Sequence, residues 1–139
     1  MQHDEFIGQV QHRARLASRG EAERVTRATL ETLGERIPEH LAENLAAQLP
    51  QEIGEHLRRT VTLGGEGTGE RFDLPEFVSR TAVRAGSDEP AAVYQARVVL
   101  EVVDDAVAPG MMAKVREALP GDLERLTEVG SSGDLAWGP

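Results

Sequence analysis

An all-α fold is predicted for this chain, and three observations predict it. Apolar residues recur at three- and four-residue spacing along most of its length, the period of a helix with one buried face. Aromatic residues are scarce, while Ala, Leu, Val, Glu and Arg dominate, a mixture that favours helix over strand. The chain also says the same thing twice. Arg27, Leu30, Glu31, Leu33, Leu49-Pro50 and Ile53 return 70 residues later as Arg97, Leu100, Glu101, Val103, Leu119-Pro120 and Leu123. Glu5-Phe6-Ile7 returns as Glu76-Phe77-Val78 at an offset of 71, and one residue inserted in a loop reconciles the two spacings. An internal repeat sets architecture before any single motif does. The predicted molecule has about eight helices in two pseudo-symmetric four-helix repeats, residues 4–59 and 73–127, joined by a Gly-rich linker, 60–72. A repeat of about fifty residues is marginal alone, so the two are expected to pack as a single domain over 1–127. Residues 128–139 are expected to form a loose tail.

The first helix is expected from Asp4 to about Arg19, capped by Asp4, with Phe6, Ile7, Val10, Ala14 and Ala17 on one face. Ser18, with Glu21 three residues on, resembles a capping box that opens the second. Ala22, Val25, Thr29, Leu30, Leu33 and Ile37 form its buried stripe. Pro38 suits the first turn of the third helix, which buries Leu41, Ala42, Leu45, Ala46 and Leu49. Pro50 starts a short fourth helix packed through Ile53 and Leu57. The linker holds Gly64-Gly65-Glu66-Gly67-Thr68-Gly69; no Lys-Ser/Thr follows, so it reads as a flexible connector rather than a phosphate-binding loop. A short strand at 60–63 is weakly compatible with the residues there.

The second series opens with Asp73, Pro75 and Glu76, and Phe77, Val78, Ala82 and Ala85 repeat the first stripe until Gly86 ends the helix. Ser87 or Asp88, with Pro90, opens a helix that is apolar almost all round from Ala91 to Val107, and so is expected at the centre of the molecule or under a homodimer interface. Its valines favour a strand at 97–103 locally; the matching stretch, 26–33, is not strand-like and argues for helix. Pro109 and Pro120 open two short helices carrying Met111, Met112, Val115 and Leu119, then Leu123 and Leu126.

The formal charge is −9, with −2 in residues 1–60 and −7 in the remainder. An acidic chain lacks the basic footprint that nonspecific nucleic-acid binding needs, and it is repelled by anionic membrane surfaces. No apolar run approaches the roughly 20 residues of a membrane span, and the polar start does not resemble a signal peptide. The absence of cysteine excludes disulfides, thiolate metal sites and cysteine nucleophiles, and suits a cytoplasmic location. A single lysine, Lys114, against fourteen arginines reads as codon bias of a GC-rich genome.

The segments DEFIGQV, ATLETLGERI and LAAQLPQEIGEHL, then RFDLPEFVSRTA, ARVVLEVV and VREALPGDLERL, resemble the two halves of a bacterial family catalogued as domain of unknown function 2267. The resemblance spans residues 4–126, with both Leu-Pro turns and both Glu-Phe pairs in order. It implies a small, helical, duplicated, soluble bacterial protein. It implies no settled activity and no catalytic residues, so none are carried over. The Gly-rich linker is longer than the resemblance leads one to expect.

Several residue groups are weighed for chemistry. His40 with Glu43, and Glu52 with His56, have the helical spacing of metal-gripping pairs, but neither pair is echoed at Gly110, Ala113, Asp122 and Leu126. The bland reading, a solvated polar face, is preferred for both. Asp104-Asp105 could do acid–base work if burial separated their pKa values; a solvent-facing or Arg-paired acidic turn is the simpler reading. Arg27 and Arg97 are the repeat's matched basic pair, with Glu31 and Glu101 four residues on. An intrahelical ion pair is the favoured role, and convergence of both arginines on an anion the sharper one. Met111 and Met112 offer adaptable apolar surface, and Trp137 in the tail either folds back or engages a partner. No catalytic triad, nucleotide fingerprint or zinc motif is visible, so no catalytic residue, metal or cofactor is assigned. The expected function is a non-enzymatic protein-interaction or scaffold module. The alternative is a small-molecule or anion-binding module with a pocket between the repeats near Arg27 and Arg97. A metal-assisted enzyme using His40, Glu43, His56 or the aspartate pair comes third.

Overall fold

The two longest apolar stripes become the two longest helices, and the rest of the chain is arranged around them. A computed structural model describes residues 1–61 and 69–128. Among these it holds α1 (His3–Arg13), α2 (Arg19–Arg36), α3 (Glu39–Ala47), α4 (Gln51–Val61), α5 (Leu74–Ala85), α6 (Glu89–Ala106), α7 (Met111–Glu117) and α8 (Gly121–Glu128), and no strand. The tail with Trp137 and most of the Gly-rich linker lie outside the described residues. No helix among the described residues is long and apolar enough to cross a membrane.

α2 is the hub. It packs against α1, α4, α5 and α6, while α6 also contacts α1, α5 and α8, and α3 contacts α4 and α7. One continuous apolar cluster runs through all eight helices, from Phe6 to Leu126. α6 is helical across 97–103 despite its valines. Val98, Val99, Leu100, Val102 and Val103 are all buried, so the segment is walled on most sides, with Glu101 alone partly exposed. Burial of both faces suits a central helix as well as a strand, and packing outweighs the local preference of β-branched residues. Met111 and Met112, expected as partner-binding surface, are only 4% and 2% exposed. They are core residues, with Gln48 Nε2 donating to Met111 Sδ at 3.1 Å.

Three helix starts follow the caps read from the sequence, whereas α1 starts at His3 with Gln2 as its N-cap, which puts Asp4 in the first turn instead of at the cap. Ser18 Oγ accepts from Glu21 N at 3.1 Å, and Glu21 reaches back to accept from Ala17 N at 3.1 Å. Asp73 accepts from Glu76 N, and Asp88 rather than Ser87 accepts from Ala91 N at 2.9 Å. Replacing Asp88 by Ala should cost about 1 kcal/mol, read as a lower urea midpoint with unchanged slope. α1 ends at Arg13, earlier than expected, because the chain turns at Ala14 and Arg15, whose φ is 56°. Ala17 is therefore exposed rather than part of the buried face. Pro38 is the N-cap of α3, one position before its expected place. Gly86 ends α5 at φ 68°, where a Cβ would be strained.

Two sets of ion pairs tie residues 1–61 to residues 69–128. Arg84 on α5 donates two 2.7 Å hydrogen bonds to Glu35 on α2, and a third, 2.8 Å, to Thr32 Oγ1. On the other side Arg13 on α1 pairs with Glu101 and Asp105 on α6, each at 2.8 Å. Tyr94 Oη adds a 2.6 Å bond to the Arg13 carbonyl.

Candidate functional site

α4 returns through α3 to run alongside α2 in the same direction, with Gly34 near Leu57 and Thr60 at their C-terminal ends, and its polar side faces the starts of α1 and α2. Glu52, Glu55, His56 and Arg59 recur along α4 at three- and four-residue intervals while Ile53 and Leu57 turn inward. The polar row meets Glu23, Arg24 and Arg27 of α2, and His3 and Ile7 of α1. Together with Gly20 they wall a surface cavity of about 590 Å³, within the size range of small-ligand sites.

Glu31 organises the far wall. Its Oε2 accepts from Arg27 Nε at 3.1 Å and from Arg59 Nη1 at 2.9 Å. The Arg27–Glu31 pair is the intrahelical bond expected from the spacing. Its geometry uses Arg27 Nε, and the Arg27 side chain is 61% exposed. Glu23 and Glu52 make no ion pair among the described residues. Arg59 Nη1 also lies 2.7 Å from His56 Nδ1. A guanidinium can only donate, so Nδ1 accepts and the imidazole carries its proton on Nε2. Burial first, then the positive charge of Arg59, push the His56 pKa down to about 4. The ring is therefore a neutral donor at physiological pH.

This shift has a sign that unfolding can read. The unfolded imidazole takes up its proton near 6.5 and the folded one near 4, so between these values the unfolded chain binds more protons. The His56 contribution is complete above pH 6.5, falls as the pH drops towards 4, and is level below it. With the ring partly exposed, solvent screening holds the loss to about 1 kcal/mol. His56→Leu should remove that component of the pH dependence. Identical stability–pH slopes in the two proteins, measured by urea unfolding between pH 7 and 4, would contradict the assignment.

The other sequence candidates fall elsewhere. Arg97, the match of Arg27, is 4% exposed inside the molecule and does not line the cavity. Helical spacing places both arginines on long helices, but the groove that Arg27 lines belongs to α1, α2 and α4, and Arg97 is not part of it. His40 and Glu43 are exposed on α3, apart from His56. Among the described residues no three His, Cys, Asp or Glu side chains are grouped as a metal site. Asp105 is engaged by Arg13, the Arg-paired arrangement preferred above, and Asp104 is exposed. Arg59, Glu55, His3 and Glu23 were not singled out from sequence. The 52–55–56–59 spacing on α4 was the available signal for two of them, and nothing local marks His3 or Glu23 as their neighbours.

No curated protein matches the chain. The family model described as an uncharacterized conserved protein covers residues 3–126, nearly the whole of the helical region just described. The chain therefore belongs to that family, DUF2267.

Proposed function

We propose that this protein is a non-enzymatic, cytoplasmic binding module that holds a small zwitterionic molecule in the groove between α1, α2 and α4. The observation that carries the reading is the pairing of unspent charges of both signs around one cavity. Arg27 engages Glu31 through Nε, and its terminal nitrogens make no bond to the protein among the described residues. Glu52 stands across from it on α4 with no ion pair there. A ligand with an oxyanion and an ammonium group complements both, with the His56 Nε2–H as a neutral donor and Ile7 as the apolar floor. The protein-interaction reading draws no support from Met111, Met112 or α6, which are spent on the core. Among the described residues only Met1 and Val83 remain as exposed large apolar side chains.

Calorimetric titration with ω-amino carboxylates of increasing length tests this. One chain length should bind best, and Arg27→Gln or Glu52→Gln should each weaken it about tenfold, the cost of one charged hydrogen bond. Binding of acetate or methylammonium as strong as that of the zwitterion would contradict it.

We also infer that the two halves are copies of one unit, packed about a pseudo-twofold axis. The ion pairs support it. Arg13 and Arg84 stand 71 residues apart, as Phe6 and Phe77 do, and their acceptors Glu101 and Asp105 stand 70 from Glu31 and Glu35. The α1–α6 contact answers the α2–α5 contact in the same way. A chain of residues 1–61 alone, stripped of these partners, should show no cooperative unfolding transition; a sharp transition would count against an obligate pair.

A further inference from the structure

A second cavity, of about 530 Å³, lies where the end of α2 meets the starts of α5 and α8, lined by Arg36, Arg71, Phe72, Asp73, Glu76 and Pro120. Arg36 is only 9% exposed. Its Nε donates to the Phe72 carbonyl at 2.9 Å, and among the described residues no carboxylate pairs with its guanidinium. Arg71, exposed at the rim, makes no ion pair among them either. A charge taken out of water without a partner is costly, and a planar guanidinium is best complemented by two oxygens of one oxyanion.

The acids on the cavity wall do not answer this need, because each is engaged. Asp73 Oδ1 caps α5 by accepting from Glu76 N at 3.2 Å. Glu76 Oε2 is held by Arg80 Nε at 2.8 Å. Asp122 does not line the cavity; its charge acts on Arg36 without an ion pair, its Oδ2 accepts from Leu74 N at 2.9 Å, and its Oδ1 is buried with no hydrogen-bond partner among the described residues. Burial, then repulsion from Arg71, lower the Arg36 pKa against the pull of Asp122, in keeping with a cation short of counter-charge. The Phe72 ring is fixed by the Arg80 guanidinium 4.1 Å above its centroid, and with Pro120 it gives the cavity an apolar wall.

We propose that this cavity is a second binding site, for a small molecule whose carboxylate or phosphate is held by Arg36 and Arg71 and whose body lies against Phe72 and Pro120. It is independent of the groove on α1, α2 and α4 and shares no residue with it.

Heteronuclear NMR titration of the full chain with benzoate, and separately with inorganic phosphate, tests the site. Saturable shifts are expected at the amides of Arg71, Phe72 and Glu76. Affinity should fall about tenfold in Arg71→Gln, as for loss of one charged hydrogen bond, and stay unchanged in Arg27→Gln. Arg36→Lys should also weaken binding, since a point charge replaces the fork; Arg71→Gln, at an exposed position, decides the matter if that variant does not fold. Saturation by benzoate alone assigns a carboxylate on an apolar body, and by phosphate alone a phosphate. No saturable shift with either probe, or equal affinity in wild type and Arg71→Gln, overturns the proposal. Because Arg27→Gln removes an anchor of the first groove, its normal benzoate binding would keep the two sites distinct.

Discussion

Arg84→Ala should lower stability by about 3 kcal/mol, a cost typical of removing one partner from a part-buried ion pair. Arg84 closes the α2–α5 seam with a bidentate bond to Glu35, a bond to the buried Thr32 hydroxyl, and a 3.9 Å approach to Glu31. Burial pushes the Glu35 carboxyl up, but hydrogen bonds and charge from Arg84, then from Arg80, outweigh it and hold its pKa below the ordinary value. Removing Arg84 leaves a carboxylate with burial and only the longer 3.3 Å bond from Arg80. Arg84→Lys should recover part of the loss, because charge returns without the fork. In a double-mutant cycle, Arg84→Ala and Glu35→Gln should couple by about 1–2 kcal/mol. Additive effects, measured by urea unfolding, would show that the seam is held by apolar packing alone. The seam also has a pH signature. A depressed carboxylate pKa contributes stability above its unfolded value of about 4.5, and that stability is lost as the pH falls through the folded value.

Gly54→Ala should also destabilise, by about 2 kcal/mol, although alanine is the better helix former by roughly 1 kcal/mol. A Cβ at Gly54 would stand 2.6 Å from the carbonyl oxygen of Ala46 and 3.3 Å from its Cα. Both are backbone atoms of α3, so relief requires the two helices to part. Gly34 is the matched control. There a Cβ would meet Thr60 Oγ1 at 2.6 Å and Thr60 Cγ2 at 3.1 Å, both on one side chain near the end of α4 that can give way more readily than backbone, and Leu57 O at 3.4 Å. Gly34→Ala should therefore cost less than about 1 kcal/mol. Equal losses at the two positions, by thermal or urea unfolding, would contradict the close approach of α3 and α4.

Much of the fold was legible in the residues because helices announce themselves by period and punctuation. Ser18, Asp73 and Asp88 cap where their spacing to the following stripe places them, and Pro75 and Pro90 sit in first turns. The end of α1 was not legible: Arg15-Leu16-Ala17 has helical composition, and the left-handed turn at Arg15 is set by how α1 and α2 pack. The site was harder for a related reason. Spacing relates side chains on one helix, and so Glu52 and His56 could be paired, but it says nothing of His3 or Glu23 brought in from other helices. Arg27 and Arg97 look equivalent in sequence, yet one is largely exposed and the other buried. Matching positions have also diverged where the groove lies. Gly54 and His56 correspond to Glu124 and Leu126, so the close α3–α4 contact and the neutral imidazole occur in the first half only.

The central claim is that the groove between α1, α2 and α4 binds a small zwitterion. Chemical-shift mapping of the full chain, titrated with the best-binding ω-amino carboxylate, tests it most directly. The amides of Ile7, Gly20, Arg27 and Arg59 and the His56 ring are expected to move together on one saturation curve, with His56 remaining neutral at pH 7. Shifts that are absent, or that gather on helices away from this groove, would contradict it.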